Sequence, residues 1–448
     1  MHLNIPISDF AKTLFDDLLE HGATIYFVGG IVRDTLLGRD NKDLDVEVYH
    51  LPYDLLVERL SHFGHVRTFG ASFAVVHLDE LPGYEFALPR RETKTGPKHT
   101  DFTVTIAPDL APQMAAKRRD LTINALMVDY ADGTLYDFYH GYEDLQNGII
   151  RAVDPLHFGE DPLRVLRIAS FMSRLLFQVE EGTKQLCKQM VQEGLLEALS
   201  IERITIEYEK ILMGTQPSLG LNFLKEVHGL PPYLQALVTT MQRRDYHPEG
   251  SVWNHTMLVI DLCAHVKEHT SDPLSFMWSG LLHDIGKPAT TVGEHSYRHD
   301  EMGVTVFQKD VHMQLSKKQK QYIRCMIAHH MQLMNMATHH ARPITFKRLL
   351  KELEGIFPLD DLAWFTRCDK MGRGYIASSQ IAMFNDYLDE MIALCGDQAE
   401  KPLIDGKTLI EAGFSDHHFY KQLLAEAYDL QLAGYQRDAI LRRLKGER

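Results

Sequence analysis

Residues 27–48, FVGGIVRDTLLGRDNKDLDVEV, decide the reading of this chain. Gly29 and Gly30 interrupt an apolar run. An Arg33-Asp34 pair follows, then a short amphipathic segment, then carboxylates alternating with aliphatics. Side chains alternate along a strand, so Leu44, Val46 and Val48 share one face and Asp43, Asp45 and Glu47 the other. A half-exposed strand with a solvated acidic face would account for that. Yet acidic residues are poor strand formers, and three on one face repel. A divalent cation would relieve the repulsion, and oxygen ligands suit Mg²⁺, which takes one or two carboxylates together with substrate phosphates. Gly29-Gly30 falls between a predicted strand and a predicted helix. Glycine there lets backbone approach a ligand closely, and a helix N-terminus offers free N–H groups to phosphate. Arg33 lies in the first turn, within reach of the same anion. GG, RD and a DxD strand in one short stretch predict a triphosphate bound with Mg²⁺.

The whole chain sets the frame. Its 448 residues correspond to about three domains of ordinary size. Five scattered cysteines with no CxxC pair suit a reducing cytoplasm and argue against a disulfide framework. The start, MHLNIPISDF, lacks the basic and apolar regions of a signal peptide. No uncharged apolar run approaches the ~18 residues of a membrane span, so no membrane partner is expected. The net charge of −14 argues against indiscriminate nucleic-acid binding. Basic stretches at 89–98, 117–119, 317–324 and 342–351 leave room for a phosphate-tracking strip on an acidic body.

Residues 1–150 mix predicted strands (IYFVGG, DLDVEVYH, FAVVHL, YEFALPR) with helices (AKTLFDDLLEHG, VRDTLLGR, YDLLVERLSHFG). The stretch LYDFYHGYEDLQNGIIRAVD reads as strand-turn-strand. From Asp161 the pattern turns helical, through DPLRVLRIASFMSRLL, TKQLCKQMVQEGLLEAL and ERITIEYEKILMG. HGLPPYL and RRDYHPEG read as a junction, followed by helices rich in histidine.

GGIVRDTLLGRDNKDLDVEV resembles the signature of the tRNA nucleotidyltransferase and bacterial poly(A) polymerase family, within the polymerase-β-like nucleotidyltransferases. The resemblance continues in order through KRRDLTINAL (117–126), LYDFYHGYEDLQNGIIRAV (135–153), EDPLRVLR (160–167) and ERITIEYEKIL (202–212). It implies an α+β fold: a head with a mixed sheet and helices over 1–150, a helical nucleotide-selecting and tRNA-contacting region over 151–230, and a helical HD domain with tail over 231–448. It implies that Asp43 and Asp45 hold two catalytic Mg²⁺ ions, with Glu85 as third carboxylate. Two such metals about 4 Å apart clamp the attacking and leaving oxygens of an in-line displacement. Gly29, Gly30 and Arg33 then hold the triphosphate, and Arg118, Arg119 and Asp120 contact the nucleotide and its ribose.

EDPLR has two readings. Pro162 suits a first helical position and acidic residues before it complement the helix dipole, so capping accounts for Glu160 and Asp161. Asp161 and Arg164, at i,i+3 spacing, could also form a simple salt bridge. The functional reading rests on base chemistry. Cytosine and adenine both present an amine beside an unprotonated ring nitrogen; a carboxylate accepts from the first and a guanidinium donates to the second. Guanine and uracil put a carbonyl against the carboxylate and are rejected. The resemblance assigns this role to Glu160, Asp161 and Arg164, with Glu160 orienting the arginine, and groups Arg167 with them.

In the histidine-rich half, His255, His283-Asp284 (LLHDIGKP) and Asp369 (RCDKMGRG) follow an H…HD…D order that resembles the HD phosphohydrolases. His299, His329 and His330 fall where binuclear HD sites carry further ligands, and Lys287 could meet a substrate phosphate. Imidazole and carboxylate ligands suit a transition metal such as Ni²⁺, Mn²⁺ or Fe²⁺. When fused to a tRNA nucleotidyltransferase, such domains act on 2′,3′-cyclic phosphates and phosphomonoesters.

The expectation is a cytoplasmic CCA-adding enzyme, monomer or homodimer, with CTP, ATP and the tRNA acceptor end as partners. A CC-adding or A-adding enzyme shares every motif named. A poly(A) polymerase shares the head but usually carries a more basic tail. A phosphohydrolase or RNA-binding protein with a degenerate head is argued against by the intact DxD, RRD and EDxxR sets.

Overall fold

The computed structural model describes residues 1–68, 75–94, 102–373 and 378–446. Of the basic stretch 89–98, residues 95–98 lie outside the described residues. The chain divides into two compact units, Met1–Leu230 and Pro231–Arg448.

The first unit opens with helix α1 (Asp9–Glu20). Ser8 caps it by accepting from the Ala11 N–H, and Ala11, Leu14, Phe15 and Leu18 form its buried stripe. Strand β1 (Thr24–Val28) leads into the short helix α2 (Gly30–Leu36) and then β2 (Leu44–Tyr49). Next come α3 (Tyr53–Ser61), β3 (Val66–Thr68), β4 (Val75–Leu78), β5 (Tyr84–Ala87), β6 (Arg90–Lys94) and β7 (Phe102–Ile106). Helix α4 (Pro112–Lys117), β8 (Met127–Asp129), β9 (Leu135–Tyr136) and α5 (Gly141–Asn147) complete the head. Seven strands make one mixed sheet in the order β3-β4-β5-β2-β1-β8-β9. β2 lies at its centre, antiparallel to β1 and parallel to β5. Phe15 packs its ring on Phe27 and Phe86 on one side of the sheet. Tyr26, Tyr49 and Met127 pack with Ala115 and Ala116 of α4 in a second apolar cluster.

One expectation is corrected here. The turn expected in LYDFYHGYEDLQNGIIRAVD is the helix α5. Asp137 accepts from the N–H groups of Gly141 and Tyr142 at its start, and Gly148, at φ 66°, ends it.

After the head come α6 (Leu163–Leu175), α7 (Glu181–Gln192), α8 (Ile201–Leu212) and α9 (Pro217–Glu226). α6 packs against both α8 and α9 and buries Val165, Ile168, Ala169 and Phe171.

The second unit is helical apart from one two-stranded ribbon among the described residues. α10 (Pro232–Thr239), α11 (Val252–Val266), α12 (Pro273–Leu282), α13 (Lys287–Thr290), α14 (His299–Asp310) and α15 (Lys317–His329) run in that order. α16 (Gln332–Thr338), α17 (Pro343–Leu353) and α18 (Leu359–Met371) follow. Trp253, Phe276, Trp278 and Phe365 fill the core beneath the histidines. Beyond it, Ile404, Leu409, Ala427 and Ile440 form a separate small core. Among the described residues no helix is long and apolar enough to cross a membrane.

Candidate active site and metal centre

The register of the central sheet assembles the first site. Asp45 pairs with Val28 of β1 on one side and with Glu85 of β5 on the other. Asp43 is exposed, just before β2, and its N–H donates to Asn41 Oδ1 at 2.9 Å. Glu85 is exposed as well, its side chain 48% accessible. Burial pushes the Asp45 carboxyl up against the pull of Arg119, and Glu85 and Asp43 push in the same direction. A site that charges its own carboxylates at such cost fits a cation.

Glu47, on the same face, is accounted for differently. It is 2% exposed and accepts from Arg118 Nη2 at 3.0 Å, Arg119 Nη2 at 3.1 Å and the Tyr49 hydroxyl at 3.1 Å. Burial alone would raise its pKa, but Arg119 and Arg118 outweigh it and hold Glu47 below the usual carboxylate range. The repulsion read from the sequence is thus relieved in part by two arginines of the KRR stretch.

Gly29 caps α2 at φ 72° and ψ −129°. A Cβ there would lie 2.8 Å from Arg119 Nη1 and 3.0 Å from Asp45 Oδ2, so only glycine lets both groups close over the turn. Arg33, expected to grip the triphosphate, is buried. It donates to both Asp34 oxygens at 2.8 Å and to Asn124 Oδ1 at 2.6 Å. Asp34 also accepts from Asn41 Nδ2 at 2.7 Å. This chain, Arg33 to Asp34 to Asn41 to the Asp43 backbone, braces the turn; the sequence reading did not foresee Asp34, Asn41 or Asn124 in it.

The remaining head residues are held from α6. Asp120 accepts from the Leu121 N–H at 2.8 Å, Asn124 Nδ2 at 3.0 Å and Arg167 Nε at 2.7 Å. Burial opposes its charge, and Arg167 outweighs that and holds it below the ordinary range. Arg167, grouped by resemblance with the nucleotide, is therefore a partner of Asp120. Phe171 gathers three guanidiniums, those of Arg33, Arg167 and Arg174, at 5.1, 5.6 and 4.8 Å from its ring centroid.

Asp161 and Arg164 do not pair with each other. Asp161 accepts from Arg203 Nη2 at 3.1 and 3.0 Å and from the Leu163 N–H at 3.1 Å. Arg164 donates to the carbonyl oxygens of His157, Phe158 and Arg118 at 3.0, 3.3 and 3.2 Å, and lies over the Phe158 ring. Carbonyl oxygens, not Glu160, orient Arg164; Glu160 is half-buried at the end of the preceding turn. Arg203 lies in the quoted motif ERITIEYEKIL, but its spacing gave no sign of its partner.

The second site lies in the histidine-rich unit. His283 and Asp284 follow the last turn of α12. A Cβ on Gly286 would meet the His299 carbonyl oxygen at 2.0 Å, so glycine lets α14 close on this turn and deliver His299. One ligand atom each from His255, His283 and Asp284 lies within 4.8 Å of the others, and the same holds for Asp284, His299 and His330. Asp369 Oδ1 is 2.9 Å from His255 Nε2 and 3.7 Å from His283 Nε2. Two groups thus share Asp284. His255, His283, Asp284, His299 and His330 are buried, and Asp369 is half-buried, its side chain 14% exposed.

His329 does not join them. It turns to Gln332 Oε1 at 2.7 Å and lies 3.6 Å from Glu352. Successive helical residues point about 100° apart, so His329 and His330 cannot both face Asp284.

A metal fits this donor set. Neither Asp284 oxygen, nor His283 Nε2, nor either His299 ring nitrogen has a hydrogen-bond partner among the described residues, although all are buried. Lys287 Nζ lies 2.7 Å from Asp284 Oδ2, a charge contact outside good hydrogen-bonding angles. Burial pushes His299 down and His330 down to about 4, so both are neutral imidazoles near pH 7. A cavity of about 290 Å³ opens onto the group, lined in part by Gln242, Tyr246, His247, Lys287 and Arg373. His247 and Glu249, in the junction stretch RRDYHPEG, were not foreseen. Glu249 Oε1 lies 2.8 Å from His247 Nδ1 and 3.0 Å from His255 Nδ1.

Three family models match successive parts of the chain. The model of the poly(A) polymerase head domain matches residues 25–151. A model described as "Probable RNA and SrmB- binding site of polymerase A" matches 176–237, and the HD domain model matches 252–374. The multifunctional CCA protein of Nitrosococcus oceani is 36% identical over 336 residues, 74% of this chain and 79% of that one. That of Pasteurella multocida is 39% identical over 290 residues, 62% of this chain and 67% of that one. A CCA-adding enzyme in its apo form I superposes with a TM-score of 0.64 at 24% identity, covering 98% of this chain and 95% of that one. The Thermotoga maritima CCA-adding enzyme complexed with tRNA gives 0.60 at 22%, covering 98% and 96%; both likenesses are of fold. By its poly(A) polymerase head, its HD domain and its identity to these relatives over most of its length, the chain belongs to the multifunctional CCA protein family.

Proposed function

We propose that this chain adds CMP and AMP from CTP and ATP to the 3′ end of tRNA without a nucleic-acid template. The observation that carries the reading is the register of Asp45 with Glu85 beside the Gly29 turn, in a member of this family. Asp43, Asp45 and Glu85 would hold Mg²⁺, which when bound activates the tRNA 3′-hydroxyl and stabilises the leaving pyrophosphate. The chain's own residues do the rest. Gly29 and Gly30 let the triphosphate approach the backbone, and Arg119 faces it from beside Asp45. Asp120, fixed by Arg167, would receive the ribose. Asp161 accepts from the base amine, which admits cytosine and adenine and turns away uracil and guanine. Residues 1–150 act as the catalytic head, 151–230 as the selecting and tRNA-contacting region, and 231–448 as HD domain and tail.

The test offers the protein tRNAs ending before CCA, after C and after CC, with CTP, ATP or both. Full extension to CCA supports the reading. Extension by A alone or CC alone makes the chain a specialised relative, and no extension overturns it.

A second reading concerns the HD site, because two donor groups share Asp284. His255, His283, Asp284 and Asp369 would hold one transition metal, and His299 and His330 a second with Asp284. Such metals activate water at neutral pH. Lys287 and Arg373, lining the cavity, suit the phosphate of a 2′,3′-cyclic phosphate or phosphomonoester. The double variant His283→Ala with Asp284→Ala should lose that hydrolysis and keep nucleotide addition. Loss of both activities together would contradict two separate sites.

A further inference from the structure

The stretch RRDYHPEG, which reads from sequence as a junction, folds back on the HD site. The Gln242 N–H donates to the Gly250 carbonyl oxygen at 2.8 Å and the Val252 N–H to that of Thr240 at 2.9 Å, so residues 241–251 form a closed loop between α10 and α11. Gly250, at φ 91°, turns the chain into α11. The loop meets the site at three points. Gln242 Oε1 accepts from Lys287 Nζ at 2.7 Å, His247 lines the cavity, and Glu249 lies against His255.

Glu249 is the buried anion of the loop, its side chain 4% exposed. Its Oε1 accepts from His247 Nδ1 at 2.8 Å and lies 3.0 Å from His255 Nδ1. Its Oε2 is buried with no hydrogen-bond partner among the described residues. Two imidazole contacts on one oxygen are thin compensation for a buried charge, which ordinarily requires a paired cation. The His255 ring points to where that cation would sit. Its Nδ1 faces Glu249, and its Nε2 lies 2.9 Å from Asp369 Oδ1 and 3.9 Å from Asp284 Oδ2, among the donors of the HD site.

We propose that Glu249 is a positioning residue of the HD metal site: it takes the Nδ1 proton of His255, which fixes the ring and leaves the Nε2 lone pair for the metal. This rests on the reading of His255 as a metal ligand. A carboxylate behind a ligating imidazole sets its tautomer and makes it a stronger donor. The Gly372 carbonyl oxygen, 3.2 Å from the same Nδ1, helps to orient the ring but carries no net charge. The negative charge is therefore what Glu249 alone adds behind His255, and Glu249→Gln removes it with little change of shape.

The experiment titrates Mn²⁺ into metal-stripped, full-length protein by calorimetry and records thermal melting of each metal-free form. Variants are Glu249→Gln, Glu249→Ala and His255→Ala. Glu249→Gln should weaken Mn²⁺ binding about 10-fold and Glu249→Ala up to about 100-fold. Metal-free Glu249→Gln should melt close to the original, since the amide fills the same space. Original-like affinity in both Glu249 variants, while His255→Ala binds weakly, would overturn the proposal. So would a loss of affinity in Glu249→Gln that comes with a collapse of its metal-free melting temperature, which would make Glu249 structural. Unchanged affinity in His255→Ala would instead remove the reading of His255 as a ligand, and the role of Glu249 with it.

Discussion

Asp45 and Glu85 are register partners in the parallel pair β2–β5, so two carboxylates forty positions apart in sequence lie side by side on adjacent strands. Asp45→Ala should abolish transfer of both C and A, because it removes the carboxylate nearest the turn. Glu85→Ala should cut transfer by about 10²-fold or more. In both, tRNA affinity should stay near that of the unaltered protein, measured by filter binding. Substantial Mg²⁺-dependent transfer by Asp45→Ala would refute the assignment.

Gly29→Ala tests the turn. The backbone at φ 72° disfavours any side chain, and the added methyl meets Arg119 and Asp45. A strain of about 1–3 kcal/mol is expected. Denaturant melting should show that modest loss, while nucleotide addition falls far more steeply. A variant as active as the original would show that the turn does not shape the site.

Glu47→Gln tests the buried ion cluster by pH. Arg119 and Arg118 hold the folded pKa of Glu47 below the ordinary glutamate value of about 4.3. Its charge therefore adds stability that is present above about that pH and is lost as pH falls through the lowered folded value. Removing it leaves Arg118 and Arg119 without their anion, a cost of about 2–3 kcal/mol at pH 7, discounted because both arginines keep part of their surface. The stability gap between original and variant should be widest near neutrality and shrink below about pH 4. A gap that does not change with pH would mean that the loss is steric.

Adjacent histidines of the HD domain test the proposed metal site. His330→Ala should lower bound metal from about two ions per chain to about one, read by elemental analysis after Mn²⁺ loading. His329→Ala, which removes a contact with Gln332, should leave metal content unchanged. Equal losses in both would contradict the placement of His330 alone against Asp284.

Several features were legible from local pattern. Strand alternation placed Asp45 and Glu47 on one face, Gly29-Gly30 marked a break between strand and helix, and H…HD…D gave four side chains that meet in space. Each of these depends on the backbone's own period or on residue chemistry, which a sequence carries directly.

Tertiary structure decided which partner each charge would find. Glu47 and Asp45 look equivalent in DLDVEV, yet one is closed by Arg118 and Arg119, about seventy positions away, and the other faces the Gly29 turn. Arg33 reads as a triphosphate binder and Arg167 as a nucleotide contact; Asp34 and Asp120 claim them. Asp161 pairs with Arg203 across two helices rather than with Arg164 one turn on. His330 rather than His329 faces Asp284 because of the rotation that α15 adopts when its apolar residues pack into the core. A charged side chain reaches several ångströms in any direction, and packing between distant segments, not spacing along the chain, sets what it meets there.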